Sequence, residues 1–131
     1  MTRGISMPHD SSHQLVGERT LMRIYVGEGD HFGGQPLYRA IVELLRRKGL
    51  AGATSTQCVM GYGATRRLHH TMSDVPALDL PIVVECVDTE ERVQSVLPEL
   101  DGMIPAGLIT LERAKVIAYR AHRDSPPPQE G

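Results

Sequence analysis

Tryptophan is absent from this chain of 131 residues, and phenylalanine occurs once, at Phe32. Aromatic residues make up 4% of the whole, which excludes the stacking platforms that read single-stranded nucleic acid. Neither sign of charge prevails. Fourteen Lys and Arg face 16 Asp and Glu, for a net charge of −2, so no chain-wide cationic surface exists for nucleic acid or acidic lipid. Two cysteines, Cys58 and Cys86, are too few for a multi-bridge disulfide framework. Each sits in an apolar run and is expected as a small buried hydrophobe carrying a reduced thiol. No run is long enough to span a membrane, and the stretch from Met1 to Thr20 holds no apolar segment of a secretory leader. A cytoplasmic protein is therefore expected. What is present is an ordinary share of apolar residues, 40%, enough for the core of one domain.

Residues 1–19 mix Ser, His, Gly and charge without periodicity and read as a flexible N-terminal tail. Residues 121–131 carry Pro126-Pro127-Pro128 and read as a second flexible tail. One domain over 20–120 lies between them. Leu21 to Val26 alternates, with Met22, Ile24 and Val26 on one side, and predicts a strand with one covered face. Pro36 opens a helix to Lys48, on which Leu37, Ile41, Leu44 and Leu45 form one stripe. Gly49 closes that helix in the left-handed region. A second strand is expected within Ala51 to Met60. Residues 64–79 hold Arg66, Arg67, His69, His70, Asp74 and Pro76 but little that packs, and read as a long mobile loop. Pro81 to Val87 is a near-continuous β-branched run, as in a central strand. Asp88 is the expected N-cap of a second helix, with Glu91 at its third position, Val93, Val96, Leu97 and Leu100 as its stripe, and a kink at Pro98. Leu108 to Tyr119 supplies the last strand.

The order strand–helix–strand–strand–helix–strand predicts an α+β fold. It is a ferredoxin-like βαββαβ sandwich, a four-stranded antiparallel sheet with two helices on one face. The other face, with Tyr25, Cys58 and Val83, is then left partly uncovered, which points to an oligomer.

Three groups of residues are candidates for chemistry. Gly61-Tyr62-Gly63, followed by Arg66 and Arg67, combines backbone N–H groups free to form an anion nest with charge-assisted donors for a phosphate. The same stretch equally fits a glycine bulge with two arginines in water. Glu28 stands at the end of the first strand, near Asp30 and His31; a polar turn explains that cluster better than cation binding or acid–base chemistry does, and Glu28 is its member of most interest. The adjacent His69 and His70 cannot both face one metal in a strand, and no Cys-x-x-Cys or His-Glu-x-x-His occurs, so no metal site is expected. There is also no Walker motif, no G-x-G-x-x-G and no G-x-S-x-G elbow, and catalysis is not expected.

Several segments together resemble the small uncharacterised bacterial family of PII-like signalling proteins, similar in fold to the nitrogen regulatory PII proteins. They are Arg23-Ile24-Tyr25-Val26-Gly27-Glu28, Pro36-Leu37-Tyr38, Gly49 to Thr54, Gly61-Tyr62-Gly63, Leu80 to Glu85 and Gly107 to Glu112. The resemblance runs from about Leu21 to Tyr119. It implies a compact homotrimer, with residues 64–79 as the counterpart of the loop through which PII proteins touch transporters and enzymes. It also implies an adenine nucleotide as the ligand in clefts between subunits, held at Gly61 and Gly63 and at a loop before the last strand. That loop, Asp101 to Gly107, lacks the lysine of the PII pattern and contains Pro105. The phosphate-holding cations would then have to come from Arg66, Arg67, Arg113 or Lys115, and Glu28 is a further candidate for ligand binding. A non-catalytic regulatory protein is the leading expectation. A trimeric metal-binding protein of the metal-tolerance type, using Glu28, Cys58, His69 or His70, is the alternative.

Overall fold

The computed structural model describes residues 15–61, 69–70 and 80–121. The expected tails lie largely outside these residues, as does most of the 64–79 loop. The first strand, β1, spans Gly17–Gly27. A small hairpin follows, from β2 (His31–Phe32) and β3 (Gln35–Pro36). Helix α1 is Leu37–Arg47, and β4 is Thr54–Gln57. The short strands β5 (Met60–Gly61) and β6 (His69–His70) pair with each other. Then come β7 (Pro81–Asp88), α2 (Glu90–Met103) and β8 (Leu108–Val116). The main sheet has the order β4-β7-β1-β8 and is antiparallel throughout. With the two helices, this is the ferredoxin-like arrangement anticipated from the order of elements.

The alternation in β1 and β7 sets the layers. Met22, Ile24, Val26, Ile82, Val84 and Cys86 are buried beneath the helices, together with Leu37, Ile41, Leu44, Leu45, Val93, Val96 and Leu100. Burying a Leu or Val side chain fully stabilises by about 1.5–3 kcal/mol, so this one cluster supplies the main driving force. The residues between them, Tyr25, Val83 and Glu85 among them, are only half-buried on the other face. There the Arg23 guanidinium reaches Glu85 Oε2 at 2.8 Å and Glu112 Oε1 at 3.4 Å, linking three strands. The hydrogen bond to Glu85 holds Arg23 still more firmly protonated.

Strand β1 begins at Gly17, earlier than the alternation alone indicates, and Leu15 before it is 5% exposed. Its register explains the end of β8: Gly17 pairs with Val116, so the ladder stops there and not at Tyr119. The second strand is shorter than expected and all four of its residues are exposed, as befits a polar edge. Gly49, at φ 84°, ends α1 as foreseen. The Gly49 and Leu50 N–H groups donate back to Arg46 O and Leu45 O, both at 3.1 Å, closing a Schellman turn. Pro36 flanks the helix rather than opening it, with ψ at 136°.

At α2 the expected cap is corrected. Thr89, not Asp88, is the N-cap, its hydroxyl accepting from Arg92 N–H at 3.3 Å. Asp88 has no exposure and does a different job. Its carboxylate accepts from Thr89 N–H at 2.7 Å and from Ala51 N–H at 2.8 Å, tying the loop after α1 to the start of α2. Arg92 Nη1 lies 3.5 Å from it. The helix continues through Pro98, which is exposed beside an exposed Gln94, so water can take up the carbonyl that the proline leaves free.

Replacing Asp88 by Ala strands two backbone donors, and the expected loss is about 2–4 kcal/mol. Urea unfolding followed by circular dichroism measures it; a loss under ~0.5 kcal/mol would show that the carboxylate is not a structural tie.

Candidate functional site

Several chain segments meet at one end of the sheet. Strand β1 ends there at Gly27, opposite Pro81 of β7. Strand β4 ends there, its Gln57 opposite Ile82, and β8 starts there, its Leu108 opposite Tyr25. Two backbone hydrogen bonds close this end. Glu28 N–H donates to Leu80 O at 2.7 Å, and Cys58 N–H to Pro81 O at 2.8 Å. Together they clamp the chain where it leaves and re-enters the sheet around the excursion between β4 and β7. The paired β5 and β6 lie within that excursion.

The turn after β1 is held by its own side chain. Asp30 Oδ2 accepts from Gly27 N–H at 2.9 Å, and Asp30 N–H donates to Gly27 O at 3.2 Å. The β2–β3 hairpin then turns through Gly33 and Gly34, at φ 61° and 82°, the positive values that primed hairpin turns require. On the other side, the loop between α2 and β8 presses against β1. A Cβ on Gly107 would stand 2.6 Å from Tyr25 O and 3.0 Å from Ile104 Cγ2. Only glycine allows this loop to lie so close to the strand.

Within this closed corner Glu28 is anomalous. Its side chain is half-buried, and Oε1 is shut off from solvent with no hydrogen-bond partner among the described residues. Sequence reasoning singled out Glu28 for its place at a strand end; nothing in the residue pattern foretold an unpaired oxygen.

The remaining candidates separate. Gly61 belongs to β5, three residues after the clamped Cys58, and pairs with His69. Gly63, Arg66 and Arg67 lie outside the described residues. Arg113 and Lys115 sit far along β8, paired with Thr20 and Glu18. Five strand residues separate Arg113 from Leu108, or ~16 Å. Within one chain, then, the cations of β8 do not join the Glu28 corner. Arg113 opens instead onto a groove of about 210 Å³ shared with Glu18, Thr20, Glu90 and Leu111.

Cys58 is half-buried and Cys86 buried, and neither is in a disulfide. Burial, with Asp88 nearby, pushes the Cys86 thiol up to about 12. Among the described residues no group of three His, Cys, Asp or Glu is placed to hold a metal ion. No helix among them is long and apolar enough to cross a membrane.

Residues 19–116 match the sequence profile of the DUF190 family, described as "Uncharacterized ACR". A UPF0166 protein of Aquifex aeolicus is 38% identical over 103 residues, covering 78% of this chain and 96% of that one. Another, from Methanocaldococcus jannaschii, is 38% identical over 84 residues, covering 64% and 77%. Among solved structures, a putative PII-like signalling protein from Thermus thermophilus superposes with a TM-score of 0.59 at 21% identity, over 77% of this chain and 91% of that one. CPII, a nitrogen regulatory PII-like protein from Thiomonas intermedia bound to ADP, AMP and bicarbonate, gives 0.56 at 17% identity, over 76% and 88%. The fold is thus that of the PII-like proteins.

Two outcomes are expected. Gly107→Ala forces the loop off β1 and destabilises by about 1–3 kcal/mol, whereas Gly102→Ala, in open space on α2, is neutral or stabilising by up to ~1 kcal/mol. Chemical denaturation of the pair tests this, and equal effects would contradict the close approach. Cys86 keeps its proton in the folded state up to about 12, while the unfolded chain releases it near ~8.5. The stability it contributes is complete below that lower value and is lost as pH rises towards the upper one. Wild type should therefore lose more stability between neutral and alkaline pH than Cys86→Ala does, as equilibrium unfolding at stepped pH would reveal.

Proposed function

The chain belongs to the DUF190 family, and from that premise we propose that it is a non-catalytic, PII-like regulatory protein. In this reading it assembles as a homotrimer in the cytoplasm and takes an adenine nucleotide in the clefts between subunits. Binding changes the surface that residues 64–79 offer to a partner protein, such as a transporter or an enzyme. A ligand shifts such an equilibrium only by its difference in affinity for the two states; a ~100-fold preference corresponds to ~2.7 kcal/mol.

The observation that carries the reading is the convergence at one sheet end. The base of the excursion, the clamped Glu28 and Cys58, and the loop wedged at Gly107 share that corner, so a ligand seated there touches the root of the 64–79 segment. The fold likeness to CPII, whose structure holds ADP and AMP, supports a nucleotide as the ligand. The separation of Arg113 and Lys115 from this corner supports assembly: cations at the far end of β8 reach such a site only from a neighbouring copy. Tyr25, Val83 and the Arg23–Glu85–Glu112 ladder, on the face without helices, give copies a surface to share.

Native mass spectrometry with and without ADP tests assembly and ligand together. A species of three 14.4 kDa chains that gains nucleotide mass is expected; a lone chain at micromolar concentration with no uptake sinks the proposal. Arg66→Ala with Arg67→Ala should weaken ADP binding roughly tenfold or more in calorimetry. The same pair should leave unfolding stability within ~0.5 kcal/mol of wild type, as expected for cations in a polar stretch of sequence that contributes no residue to the apolar cluster.

A further inference from the structure

A carboxylate accepts hydrogen bonds and cannot donate them, and a buried oxygen left without a donor is costly. Glu28 Oε1 is in that state among the described residues. Its placement is not the result of slack backbone. Glu28 N–H is tied to Leu80 O at 2.7 Å, and the preceding Gly27 N–H is tied to Asp30 Oδ2 at 2.9 Å. Among the described residues the fold holds an acceptor in a rigid corner without a partner, as a scaffold does when the partner is a ligand.

The chemistry of that ligand can be narrowed. An anionic group repels a carboxylate, so the phosphates of a nucleotide do not belong at Glu28. The exocyclic amine of adenine is flanked by ring nitrogens that are themselves acceptors, so a carboxylate reaching for it sets its second oxygen against a lone pair. The ribose has neither defect: its vicinal hydroxyls are neutral donors, and a carboxylate at a strand end is a known partner for a ribose 2′-hydroxyl in other folds. Rotation about the last side-chain bond of glutamate is soft, so a half-buried carboxylate turns to meet a donor at small cost.

We propose that Glu28 accepts a hydrogen bond from a ribose hydroxyl of the bound nucleotide and so selects ribonucleotides over deoxyribonucleotides. This rests on the adenine-nucleotide reading given above.

Calorimetry of the wild-type assembly with ADP, 2′-deoxy-ADP and 3′-deoxy-ADP tests it without any variant. At least one deoxy analogue should bind roughly tenfold to a hundredfold more weakly than ADP. Glu28→Gln should lose a similar factor towards ADP and bind all three alike. Ligand-free Glu28→Gln should melt at or above the wild-type temperature, because a charged acceptor without a donor has been replaced by a neutral one. If ADP binds but both deoxy analogues bind equally well, the ribose assignment fails and the nucleotide reading stands. If no adenine nucleotide binds, both fall. A Glu28→Gln protein that melts lower yet keeps its preference for ribose would make Glu28 a structural residue and overturn the assignment.

Discussion

Strand β1 is hydrogen-bonded along both edges and buried on one face, and the rest of the fold is positioned from it. Its pairing with β7 runs from Thr20 to Gly27, and its pairing with β8 from Gly17 to Tyr25. A slip of one residue on either side would turn Met22, Ile24 and Val26 out of the core, so hydrophobic burial and register enforce each other. The ends of the neighbouring strands follow from that register. So does the corner at Gly27, because β4, β7 and β8 reach it only when β1 is aligned.

The same constraint divides the molecule into two ends with different characters. At one, backbone clamps and the tight seat of Gly107 leave little freedom, and there Glu28 Oε1 is a buried side-chain oxygen without a partner among the described residues. At the other, β8 is exposed or half-buried along its length, and Arg113 and Lys115 look onto an open groove or solvent. Rigid placement with an unmet hydrogen-bonding demand suits recognition of a small molecule. An exposed strand with scattered cations suits contact with another surface.

Much of this was legible in the sequence because hydrophobic periodicity reports burial directly. The alternation at Met22, Ile24 and Val26, the stripe on α1 and the β-branched run of β7 gave elements, faces and order. Gly49 was legible because one local conformation required it. Other features depend on partners distant in the chain. The start of β1 at Gly17 is set by Val116, and Asp88 left its expected capping role because Ala51, on another loop, needed an acceptor. The site was less legible still. Glu28 lies at the clamped end of β1 and Gly61 three residues past Cys58, whereas Arg113 and Lys115 are parted from that end by a strand's length, a distance that no linear pattern encodes. That Glu28 Oε1 has no partner among the described residues reflects three-dimensional exclusion of water, for which composition offers no sign.

The bonds from Glu28 to Leu80 and from Cys58 to Pro81 have an evolutionary corollary. Because they fasten both roots of the intervening stretch, the sheet does not register how many residues lie between. Doubling the length of such a closed segment costs only ~0.6 kcal/mol in chain entropy. Insertions and deletions there are nearly free of penalty to the framework. One scaffold can therefore tolerate a rewritten stretch there while the corner beneath it keeps its geometry.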